Sequence, residues 1–227
     1  MPRAPGHHLL WPNVHLHVFD APEPGPTALI QAGIHGDEIA GVHALEELLE
    51  DGLRPARGRL LIVPVMNPPA YRAQQRAAEG GLDLNRMFPG DADHERYEPK
   101  LARVFMDLVR DEGVALMATL HESKKRYDPT VVPSFGQTLV YGVTPCPPLL
   151  EHVVDELNGT RASDAEAWVT QYYPVSTSST EVIVDAIGCV GVCVETWMGF
   201  SLARRVAMQK EVVRRLLAGF GTLDPLP

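Results

Sequence analysis

Three short apolar runs in this chain each give way to a histidine or a glutamate, and that pattern constrains the fold more than any other feature. Residues 27–34 lead to His35, residues 114–120 to His121, and residues 190–194 to Glu195. Each run is too short for a membrane span, which needs about 20 apolar residues. Each has the length and content of a strand buried on both faces. Residues 14–19, 58–66 and 137–143 read as further strands. Between them, residues 37–51, 97–109, 149–157 and 201–220 carry apolar positions at helical spacing,. Residues 67–90, rich in Pro, Gly and Asn, read as a long loop with one turn of helix, and residues 172–180 as a polar Ser/Thr loop,. Strands alternating with helices predict an α/β fold: a mixed, mostly parallel sheet with helices on both faces. In such sheets ligands bind beyond the carboxyl ends of the strands, where His35, His121 and Glu195 fall.

Composition narrows the function. The 227 residues hold 20 Lys+Arg against 29 Asp+Glu, a net charge of −9. Nucleic-acid binding relies on basic residues that neutralise phosphates, so no nucleic-acid partner is expected. Three Cys show no disulfide framework,, and with no apolar leader the expected home is the cytoplasm. One catalytic domain over residues 1–227 is expected, without a separate C-terminal β domain. The sequence leaves the oligomeric state open.

His35 and Glu38 form an H-x-x-E pair on a strand-to-helix turn. With His121 they make two imidazoles and one carboxylate, a catalytic zinc set that leaves a fourth position for water. Asp37 and Glu38 also suit the first turn of a helix, where negative charge is favoured. His43 and Glu46 share the spacing, but they lie mid-helix and read as a solvated face. Glu195 ends an apolar strand, where a carboxylate is costly without a partner or a task; beside a metal it suits a general base. Arg76, Asn85 and Arg86 lie in the long loop, and a guanidinium beside an amide is a ready clamp for a carboxylate.

Five segments in order, GIHGDE (33–38), NPPAYRAQQR (67–76), LDLNRMFPG (82–90), LHES (120–123) and VETW (194–197), resemble the zinc metallocarboxypeptidase superfamily, which includes the succinylglutamate desuccinylase/aspartoacylase branch. The resemblance implies one zinc per chain held by His35, Glu38 and His121, with Glu195 as general base. It implies that Arg76 polarises the scissile carbonyl and that Asn85 and Arg86 grip a free carboxylate. Tyr173, beside Tyr172, has the spacing of a substrate-covering tyrosine. Thr119 stands where the family often has an Asp, so the partner orienting His121 is expected elsewhere: a backbone carbonyl or Thr119 itself. The implied function is hydrolysis of an amide or peptide bond next to a free carboxylate. The alternatives are a deacylase of small N-acyl amino acids and a non-catalytic zinc-binding module. Only about thirty residues follow Glu195, so a site more open than in the acylase branch is expected, favouring a small peptide over an N-acyl amino acid. The partner in either case is a small substrate; no membrane partner is expected.

Overall fold

The apolar runs pair into one eight-stranded sheet in a computed structural model that describes residues 2–226. The strands are β1 (Gly6–Trp11), β2 (Val14–Asp20), β3 (Glu23–Ala32), β4 (Arg57–Val63), β5 (Leu116–Ser123), β6 (Thr138–Tyr141), β7 (Val169–Tyr172) and β8 (Val190–Trp197). They lie in the order β1-β2-β4-β3-β5-β8-β6-β7. The central four, β4, β3, β5 and β8, are parallel. β1 and β2 run antiparallel at one side, and β6 opposes β8 at the other with β7 parallel to it. This is the expected α/β architecture.

Alternation along the central strands feeds two cores. Ile30, Ile62, Ala118 and Val194 face one side of the sheet. There they meet α1 (Ala40–Glu50), α4 (Pro148–Thr160) and α6 (Leu202–Gly219) through Leu45, Val153 and Val212. Leu29, Leu61 and Met117 face the other side. They meet α3 (Tyr97–Asp111) and α5 (Ser179–Ile187) through Phe105 and Ile183. Covered on both faces, β5 is buried at every position, as its apolar first half, Leu116–Ala118, implies.

Three local expectations change. The helix expected from residue 37 starts at Ala40, and its first turn contains no acid. Asp37 and Glu38 precede it in a turn, because the Glu38 carboxylate is drawn toward His35 and His121. The buried Ala40 N–H finds its acceptor in Glu122 Oε2, at 2.9 Å. The polar stretch 172–180 contains the end of β7 and the start of α5, capped by Ser178. Within the 67–90 loop lie a short helix, α2 (Pro68–Ala73), and a 3-10 turn over Leu84–Arg86. Among the described residues no helix is long and apolar enough to cross a membrane.

Candidate active site

Strand register brings the chemistry together. Ala32, the last residue of β3, pairs with Leu120 on β5, and His121 pairs with Glu195 on β8. His35 lies three residues past the end of β3, so it reaches the same end of the sheet.

The turn carrying His35 is shaped by two glycines and held by the next loop. Gly33 sits at φ +64°, a left-handed conformation that glycine adopts without steric cost. At Gly36 a Cβ would lie 2.0 Å from the Ala70 carbonyl. The Gly36 N–H donates to the Gln75 carbonyl and the Asn67 N–H to that of Gly33, both at 2.9 Å. Asn67 caps α2 by accepting from the Ala70 N–H, and its Oδ1 also accepts from the Tyr97 hydroxyl at 2.7 Å. The His35 turn is thus clamped to the loop that delivers Arg76.

The Glu38 carboxylate lies between the imidazoles. His35 Nδ1 is 2.8 Å from Oε1 and His121 Nδ1 is 2.7 Å from Oε2. All three side chains are buried, and their ligand atoms lie within 4.8 Å of one another. Burial would lower the His35 imidazole, but the facing carboxylates of Glu38 and Asp83 outweigh it and hold it up at about 9. For His121 burial prevails and lowers it. Burial would raise Glu38; the two imidazoles overcome this and keep it well below the usual carboxylate range. The Glu38 carboxylate, kept ionised, supplies negative charge at the centre of this cluster. Two imidazoles and a carboxylate suit a divalent transition ion, zinc foremost. The donor set fits the expected metal.

Among the described residues neither a backbone carbonyl nor Thr119 bonds the His121 imidazole. The Thr119 hydroxyl lies 3.2 Å from that of Thr180, and Glu38 takes the imidazole nitrogen. Behind the site, Gln209 Nε2 donates to the His121 carbonyl at 2.9 Å and to the Thr196 hydroxyl at 2.8 Å. This ties β5 to β8. The Glu122 carboxylate is bonded to Arg205 of α6.

All eight predicted site residues line one cavity of about 510 Å³. Glu195 Oε1 accepts from the Cys193 thiol at 3.6 Å, while Oε2 has no partner among the described residues. Burial, with the nearby Glu38 charge, pushes the Glu195 carboxyl well up. Arg76 lies 2.9 Å from Asp83, 3.4 Å from His35 and 3.9 Å from Glu38. Arg86 is exposed, with Nη1 donating to the Asn85 carbonyl. Asn85 departs from a simple clamp. Its Oδ1 accepts from both the N–H and the hydroxyl of Ser179, each at 2.9 Å, leaving only its amide NH2 for a ligand. Tyr173 lines the cavity, its ring 4.9 Å from Phe135. Tyr172 is 50% exposed and packs on Tyr141 outside the cavity, which separates the two tyrosines. His43 and Glu46 form an exposed pair away from it.

The sequence reading assigned no role to Asp83, Glu122 or Glu181. Asp83 and Glu122 lie inside the quoted motifs. Ser178 and Glu181 have the S-x-x-E spacing of a helix start, but β-branched neighbours and the Ser/Thr run obscured it.

The chain resembles known proteins in sequence over its first half and in fold over most of its length. Residues 24–129 match the family model of the succinylglutamate desuccinylase/aspartoacylase catalytic domain. An N-alpha-acetyl-L-2,4-diaminobutyric acid deacetylase of Halomonas elongata is 51% identical over 73 residues, 30% of this chain and 21% of the relative. A succinylglutamate desuccinylase of Serratia proteamaculans is 39% identical over 105 residues, 41% of this chain and 31% of the relative. Among solved structures, product-bound cell shape determinant protein Csd4 of Helicobacter pylori superposes with a TM-score of 0.82 at 18% identity. That superposition covers 92% of this chain and 56% of Csd4. A succinylglutamate desuccinylase of a Silicibacter species gives 0.72 at 27% identity, covering 94% and 62%. The chain therefore spans less than two thirds of the length of these relatives. Fold, motif order and these matches fit the zinc metallocarboxypeptidase-like superfamily.

Proposed function

We propose that this protein is a zinc-dependent hydrolase of an amide bond adjacent to a free carboxylate. The observation that carries this reading is the convergence of His35, Glu38 and His121 in the cavity that also holds Glu195. The family model and the sequence-level relatives favour small N-acyl amino acids. A peptide substrate draws support from the likeness to a D,L-carboxypeptidase, which at 18% identity concerns the fold alone.

His35, Glu38 and His121 would hold the metal, one per chain. When bound, zinc polarises a carbonyl and lowers the pKa of water. Glu195 takes a proton from the attacking water and returns it to the departing nitrogen. Arg76 stabilises negative charge on the carbonyl oxygen. Arg86 and the Asn85 amide hold the carboxylate so that the scissile bond is presented to Glu195, a positioning effect. Tyr173 covers the bound substrate. The three free cysteines fit a reducing, cytoplasmic setting,.

The test is a panel of N-acetyl and N-succinyl amino acids and short peptides, assayed before and after chelation. Hydrolysis that stops on chelation and returns with zinc is expected. Turnover indifferent to chelation, or stoichiometric zinc with no turnover of any carboxylate-bearing amide, contradicts it.

A further inference from the structure

The Glu181 carboxylate, in the wall of the same cavity, is left without a counter-charge. The residue is 9% exposed and lines the cavity. Its backbone N–H donates to the Ser178 hydroxyl, 3.2 Å away, as in the first half of a capping box,. In the full motif the Glu carboxylate bonds back to the N-cap N–H. Here the Ser178 N–H donates instead to the Val175 carbonyl at 2.8 Å, and among the described residues the Glu181 carboxylate has no hydrogen-bond or ion-pair partner.

The cavity's own cations are committed elsewhere or unpaired with it. Arg76 is paired with Asp83, Arg86 bonds the Asn85 carbonyl, and Lys124 is paired with Asp37. Lys125 makes no ion pair with it either. Burial raises the Glu181 carboxyl, and the nearby charge that acts on it, Asp185, has the same sign.

A second observation concerns Gly142. A Cβ there would lie 1.6 Å from Glu181 Oε2. The missing side chain at Gly142 thus makes the berth in which the carboxylate rests. Leaving a nearly buried anion without a partner is costly, and a charged ligand group removes that cost.

We propose that Glu181 is a specificity residue that binds an ammonium group on the amino-acid half of the substrate. The location supports this. Glu181 lines the same cavity as Asn85, the residue read as part of the carboxylate grip, which Ser179 of the same helix holds. An amino acid anchored there by its carboxylate extends a short cationic side chain toward α5. The inference rests on the proposed amidohydrolase function, deepening it to substrates with a basic side chain.

The test compares N-acetyl-2,4-diaminobutyrate, N-acetyl-2-aminobutyrate and N-acetylglutamate. Hydrolysis is measured with the zinc-loaded wild type, Glu181→Gln and Gly142→Ala. Binding is measured by calorimetry with Glu195→Gln and with Glu195→Gln/Glu181→Gln. The cationic compound is expected to be preferred by the wild type. Both single variants should lower kcat/KM for it at least tenfold while changing the neutral compound less than twofold. Its affinity should fall by the same factor in the double variant. Equal losses for all three compounds, or no preference for the cationic one in binding or turnover, overturn the inference. Selective binding without hydrolysis refutes the amidohydrolase reading and leaves Glu181 as a cation subsite. Hydrolysis without selectivity does the reverse.

Discussion

A methyl group added at Gly36 has nowhere to go, because the Ala70 backbone lies 2.0 Å from its position. Gly36→Ala therefore separates the His35 turn from α2, and overpacking of this kind costs about 1–3 kcal/mol. We expect a lower midpoint in urea unfolding and loss of bound metal from the same variant. Glu195 poses the opposite case, a change that alters chemistry and leaves packing alone. Gln keeps the shape of Glu195 but cannot carry protons between water and the leaving nitrogen. Glu195→Gln is expected to lower kcat about 100- to 10,000-fold with metal content unchanged, read by turnover and metal analysis. At this scale the sequence was informative about identity and silent about partners. His35, His121 and Glu195 stood at strand ends, with Glu38 on the turn after His35, and a carboxylate ending an apolar strand demanded a reason. Nothing in the order of residues told that Asn85 would spend its carbonyl oxygen on Ser179.

α5 shows why one element was missed and what it does. Its residues Thr180, Glu181, Val182, Ile183 and Val184 are mostly β-branched or apolar, a composition that suits strands as well as helices. Tertiary packing against α3 and β8, with Ser178 before it and left-handed Gly188 after it, decides for a helix. The helix matters because its first residue fixes Asn85. Ser179→Ala removes the hydroxyl bond and keeps the backbone one. The loss of about 1 kcal/mol per hydrogen bond should appear as a roughly fivefold rise in KM with kcat nearly unchanged, measured by steady-state kinetics. α6 supports the site from behind through Gln209. Gln209→Met conserves size but strips the His121 carbonyl and the Thr196 hydroxyl of their donor. We expect a loss of about 1–3 kcal/mol in chemical denaturation. The edge strand β1 was also not anticipated, since GHHLLW shows no alternation, is half-exposed and lies at the sheet edge beside β2.

Across the whole molecule the fold was legible because the central parallel strands are buried on both faces. Runs such as LLIV in β4 and VGVCV in β8 cannot be exposed cheaply, and the helical repeats between them leave few ways to cover them. Register was not legible. The pairing of His121 with Glu195 and the fit of the His35 turn over α2 depend on contacts between segments distant in the chain. The proposed function depends on His35, Glu38 and His121 holding a single divalent ion. Its most direct test is the metal content of the purified, zinc-reconstituted chain beside Glu38→Ala. About one zinc per chain in the former and little in the latter is expected for a site built from three protein ligands. A reconstituted wild type that retains no zinc, or a Glu38→Ala protein that retains as much, contradicts it.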